Sequence, residues 1–134
     1  MILSSLGKYK DFGLLVLRAG MGAMFILHGW PKIMGGPAKW QALGGAMAHL
    51  GVTFLPAVWG FLAALSECGG GICLILGFAL RPAALLLACT MAVAATTHIM
   101  RGDGIQEASH AIEAGVVFLS LIILGAGKYS VDGK

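Results

Sequence analysis

Four long apolar stretches constrain this chain more than any other feature. They run from about Phe12 to Ile33, Phe54 to Phe78, Pro82 to Met100 and Ile105 to Ala126. A helix needs about 20 apolar residues to cross a bilayer. In hydrocarbon every backbone polar group must be bonded within the structure, which leaves helices for segments of this kind. Charged residues make up only 11% of the 134, against roughly 25% in soluble domains. The expected fold is all-α: a polytopic membrane protein forming a four-transmembrane-helix bundle, with residues 1–134 as one domain in contact with the lipid bilayer.

The breaks between spans carry helix-ending chemistry. Pro31 falls near the end of the first span, and Met34-Gly35-Gly36-Pro37 closes it. Residues 38–50 are too short and polar to cross. Trp40, Leu43, Met47 and Leu50 recur there at helical spacing, which predicts a short interfacial helix between helices one and two, with Trp40 at headgroup level. Arg81-Pro82 is a helix start, because proline is tolerated in the first turn. Asp103, with Gln106 three residues on, is the expected cap of the fourth helix. Lys8 and Lys10 precede the first span as in a signal sequence. That span is too long for a signal core and no clear Ala-x-Ala site follows it, so an uncleaved first helix is expected. Cys68, Cys73 and Cys89 lie in apolar segments without a Cys-x-x-Cys pair and read as small buried hydrophobes.

Basic residues then orient the bundle. With both termini on one side, that side holds Lys8, Lys10, Arg81, Lys128 and Lys134, against Lys32, Lys39 and Arg101 on the other. This bias predicts both termini in the cytoplasm. The nine basic residues are scattered, without the stripe that nucleic-acid binding requires.

Polar groups inside the spans are the candidates for function. An intramembrane charge costs at least ~2.5–3.5 kcal/mol and is seldom left unpaired. Arg18 is therefore expected to pair with Glu67 or Glu113. Gly60, Ala64, Glu67 and Gly71 share one face of the second span, so small residues should carry Glu67 into the bundle. His28 and His98 each lie about 16 residues from the cytoplasmic ends of their spans, roughly 24 Å deep. Glu67 and Glu113 lie roughly 17–20 Å deep by the same measure. His28 and Lys32 are one turn apart. Arg18, His28, Lys32, Glu67, His98 and Glu113 thus form the expected outward-opening ligand pocket.

Several chemistries suit such a pocket. A quinone headgroup needs hydrogen-bond donors and, on reduction, protons, which histidine and glutamate supply. A metal site from His28, His98, Glu67 and Glu113 is an alternative, although no metal-binding motif is present and no metal is assigned. The histidines and carboxylates can also be purely structural. No residue is assigned as catalytic, since the chain has no haem-attachment, Walker or dinucleotide motif.

The first span carries Arg18, Gly20, Gly22, Phe25, His28, Gly29 and Lys32. The second carries Glu67, Gly69-Gly70-Gly71 and Gly77, followed by Arg81-Pro82. Glu113 and a Gly-x-Gly-Lys-Tyr-Ser-Val-Asp end complete the set. This pattern resembles the DoxX family of small four-helix bacterial inner-membrane proteins over nearly the whole chain. The resemblance implies Arg18, His28, Lys32, Glu67 and Glu113 as a polar signature. Some relatives resemble the membrane subunit of a thiosulfate:quinone oxidoreductase, and others are associated with oxidative-stress complexes. The implied role is at most a membrane subunit of an oxidoreductase complex: a redox-linked protein binding quinone or a similar lipid-soluble ligand, with a soluble or membrane redox partner protein supplying electrons. The alternative is a non-catalytic membrane scaffold or a small-solute or metal carrier. A homo-oligomer is compatible with either.

Overall fold

The computed structural model describes residues 2–133. Lys134, counted above in the charge bias, lies outside the described residues. A short 3-10 segment, Ser4–Tyr9, leads into α1 (Lys10–Met34). Then follow α2 (Gly36–Gly44), a second 3-10 segment (Gly45–Leu50), α3 (Pro56–Leu76), α4 (Leu80–Met100) and α5 (Ile105–Leu124). Four helical segments are long and apolar enough to cross a membrane: Ser4–Met34, Pro56–Leu76, Leu80–Met100 and Ile105–Leu124. The described residues contain no strand.

Glycine sets how the helices approach. Gly22 on α1 faces Gly71 on α3, and a Cβ on either would sit within 2.5–2.6 Å of the other's carbonyl oxygen. A Cβ on Gly29 would meet the Cys68 nitrogen at 2.6 Å. The predicted inward face of Gly60, Ala64, Glu67 and Gly71 is buried throughout. Gly20, by contrast, has open space around it and is not part of the seam. α5 packs along α4, and α3 along α4. Among the described residues, α1 and α5 meet through side chains, Phe25 edge-on to Phe118 at 4.8 Å, rather than by close backbone approach. Phe25, Leu74, Leu80, Leu87, Phe118 and Leu121 fill the centre of the bundle. Large apolar side chains such as Leu27, Leu62, Leu86 and Ile123 point outward, as lipid contact requires.

The Met34-Gly35-Gly36-Pro37 stretch closes α1 as expected, with Pro31 inside the helix. Two local expectations are corrected. Asp103 does not cap α5. Its carboxylate instead accepts a hydrogen bond from His98 Nδ1 at 2.9 Å, and Gly104 with φ of 87° takes the cap position. Of the cysteines only Cys68 is buried, while Cys89 is exposed on α4. The short helix α2 is present, docked on the start of α3. Trp40 Nε1 donates to the Lys32 carbonyl at 3.0 Å, and its ring meets Phe61 edge-on at 4.8 Å. Glycines at 44 and 60 let the two backbones touch.

The C-terminal segment is a built part of the fold. Val131 and Asp132 donate backbone N–H bonds to the Leu76 and Gly77 carbonyls at the end of α3. The Asp132 carboxylate accepts from the Ala79 and Leu80 N–H groups at 2.9 and 2.8 Å. It therefore satisfies two of the free donors at the start of α4, and α4 begins before Pro82. Asp11 accepts from the Lys128 N–H at 3.3 Å, tying the tail to the start of α1. The N-terminal region, the α3–α4 turn and the tail thus share one end of the bundle.

Candidate functional site

Arg18 is completely buried, yet it makes no bond to Glu67 or Glu113. Its Nη1 donates to the Leu74 carbonyl at 3.1 Å and its Nη2 to the Tyr129 carbonyl at 2.6 Å. Leu74 lies in the last turn of α3, where carbonyls lack helical partners and the helix dipole is negative. A guanidinium presents five donors and no acceptor, so this cluster of oxygens suits it without a carboxylate contact. Gly77 makes room: it has φ of +64°, and any Cβ there would collide with Arg18 Nη1 and Ser130. The expected ion pair of Arg18 with an intramembrane glutamate is therefore replaced by a pin between helix end and tail.

Glu67 has a different partner. Lys32 Nζ lies 2.8 and 2.7 Å from its two carboxylate oxygens. The Glu67 side chain is 5% exposed and that of Lys32 is 29% exposed. Lys32 reaches down from α1 to meet a carboxylate that the small-residue face of α3 has carried inward.

Beside this pair lies a cavity of about 170 Å³. Its walls include His28, Lys32, Glu67 and His98, together with Glu107 and His110 from α5. Phe25, Met91, Ala94 and Ala111 supply its apolar surface. Four of the six residues expected in one pocket thus surround one space. Arg18 sits at the opposite end of the bundle, and Glu113 is exposed on the outer face of α5. The histidines are placed by local contacts. His28 Nδ1 donates to the Met24 carbonyl one turn earlier, at 2.7 Å. His98 is held by Asp103. The rings of His28 and His110 stack with centroids 5.5 Å apart, and Phe25 lies near both.

Glu107 and His110 belong to the polar start of the last span and line the cavity in place of Glu113. The signal that separates them is the buried face of α5, made by Ala108, Ala111, Ala114, Phe118 and Leu121. Glu107 lies one turn before Ala111 on that face, whereas Glu113 is two positions past Ala111 and points away. The metal alternative loses Glu113 with it. Among the described residues no three His, Cys, Asp or Glu side chains converge as a metal-holding group.

A family model described as DoxX matches residues 13–99. The chain belongs to the DoxX family. The matched DoxX segment contains Arg18, His28, Lys32, Glu67 and His98 and ends before His110. Inner membrane protein YqjF of Escherichia coli (strain K12) is similar, with 33% identity over 130 residues and 93% of each chain covered. Inner membrane protein YphA of the same organism is 32% identical over 141 residues, covering 95% of this chain and 97% of its own. An uncharacterized protein of Haemophilus influenzae is 30% identical over 138 residues, covering 98% of this chain and 97% of its own. No solved structure matches the chain. The names of the two Escherichia coli relatives and the four apolar helices support an inner-membrane location for this DoxX protein.

Proposed function

We propose that this chain is a redox-linked membrane subunit that holds the headgroup of a quinone, or of a similar lipid-soluble ligand, in the cavity between α1, α3, α4 and α5. One observation carries this reading. The cavity is lined from both α1 and α5, whose backbones do not closely approach each other, and His28 and His110 stand exposed there. A gap of that kind gives lateral access from the bilayer, which is where a quinone resides. About 170 Å³ is small beside the ~300–1,000 Å³ of whole-ligand pockets, so it suits one ring, with an isoprenoid tail left in lipid. The chain carries no redox centre of its own among recognised motifs. Electrons therefore pass through a separate partner protein, and the histidines and carboxylates handle protons.

A small-solute carrier needs a continuation of the cavity toward the other face. That path is filled by Phe25, Leu74, Leu87, Phe118 and Leu121, each 2% exposed or less. The packing thus favours a dead-end binding site. With both termini cytoplasmic, the cavity lies toward the outer leaflet.

The test is purification in native lipids, followed by solvent extraction and chromatography of bound quinones. Quinone retained in stoichiometric amounts, and displaced by a short-tail analogue, is the expected result. Protein that carries none and binds none when titrated in lipid nanodiscs would overturn the reading in favour of a scaffold.

A further inference from the structure

We infer that the cavity binds the reduced, hydroxyl-bearing form of its ligand, a quinol, in preference to the oxidised dicarbonyl form. The inference rests on the quinone reading above and adds to it which redox form the pocket selects. It follows from where two ring protons are committed. His28 Nδ1 faces the Met24 carbonyl, and a carbonyl only accepts, so Nδ1 carries the hydrogen. His98 Nδ1 faces the Asp103 carboxylate, which likewise only accepts and so puts a hydrogen on Nδ1. In each neutral imidazole the remaining nitrogen, Nε2, then holds a lone pair and no proton. Two residues that line the cavity from α1 and α4 thus offer acceptors to a ligand.

The other polar groups strengthen this bias. Glu67 and Glu107 are carboxylates and accept only when ionised. Lys32 already spans both Glu67 oxygens and keeps one proton for a ligand. His110, stacked on His28, has no fixed tautomer and can take either role. The cavity is therefore rich in acceptors and poor in donors. A quinol offers two O–H donors, whereas a quinone offers none. Two additional hydrogen bonds correspond to a preference of roughly thirtyfold. By linkage, each tenfold preference for the reduced form raises the two-electron potential of the bound ligand by about 30 mV. The pocket is in this way shaped to draw electrons onto its ligand.

The experiment compares a short-tail para-benzoquinone with its quinol, kept reduced under anaerobic conditions. Affinities are measured calorimetrically for the full chain in nanodiscs. Nitrogen-15 spectra of the histidine rings report the tautomers independently. The quinol should bind ten- to a hundredfold more tightly, and His28 and His98 should show protonated Nδ1. His28→Leu and His98→Leu should each weaken quinol binding about fivefold and affect the oxidised form less. His28 is exposed and His98 only partly buried, so neither variant should compromise folding. Equal or tighter binding of the oxidised form would overturn this inference and leave the quinone site standing. Binding of neither form would overturn both.

Discussion

The two intramembrane cations, Arg18 and Lys32, solve one physical problem in different ways. Lys32 meets a carboxylate, and Arg18 meets carbonyl oxygens at a helix end. A hydrogen bond to a charged donor contributes about 1.5–3 kcal/mol. Arg18→Met removes two such bonds and should lower stability by roughly 3 kcal/mol or more, read as loss of thermal stability in detergent. Glu67→Gln should weaken only the contact to Lys32. The two sites are 14 positions apart along α1 when Arg18 is compared with Lys32, or ~21 Å, so the effects of the two substitutions should add within about 0.5 kcal/mol. Strong coupling between Arg18→Met and Glu67→Gln would restore the direct ion pair that the structure replaces. Side-chain charges alone point Arg18 to a glutamate. The acceptors that serve Arg18 belong to the backbone of Leu74 and Tyr129, and backbone oxygens leave no mark in composition.

The helix seams show which parts of the arrangement a sequence can reveal. The spacing of Gly60, Ala64, Glu67 and Gly71 marks the inward face of α3, because three small residues share that face with one carboxylate. α5 gave no such cue from its polar residues, so Glu113 was placed inward. Its rotation is set by Phe118 and Leu121 packing into the core, a contact made with other helices. The tautomers of His28 and His98 were equally invisible, since they depend on Met24 lying one turn away and on Asp103 turning back from its expected cap. Glycine spacing also needs the partner helix before it can be interpreted. Gly20 and Gly22 look equivalent in sequence, but only Gly22 touches α3. Gly20→Ala should be neutral or stabilise α1 by up to about 1 kcal/mol, through helix propensity alone. Gly22→Leu or Gly29→Leu should separate α1 from α3 and sharply reduce the yield of folded protein. Similar thermal melts for Gly20→Ala and Gly22→Leu would contradict the close seam.

The bundle has two unlike ends. One is closed by the tail, which joins α1, α3 and α4 through Asp11, Arg18, Gly77 and Asp132. The other contains the cavity and the His98–Asp103 contact. Asp132→Ala should free two N–H groups at the start of α4, cost about 0.5–2 kcal/mol and expose the tail to proteases. Unchanged proteolysis of that variant would mean that the tail is held by other contacts.

Which end faces the cytoplasm decides who can reach the cavity, and it can be read directly. Arg101 lies in the turn beside the cavity, and Lys128 lies in the tail; both are exposed. The charge bias predicts Lys128 on the cytoplasmic side. In intact cells a membrane-impermeant maleimide should therefore label Arg101→Cys, and should label Lys128→Cys only after permeabilisation. The native cysteines all lie within α3 and α4, so the parent protein sets the background. The reverse pattern would turn the cavity toward the cytoplasm. A cytoplasmic redox partner could then contact the ligand site itself, whereas the expected orientation places the tail-closed end between that partner and the ligand. Electrons from the cytoplasm would have to cross the apolar centre built by Phe25 and Phe118. The labelling pattern thus also determines on which side of the membrane the proposed partner should be sought.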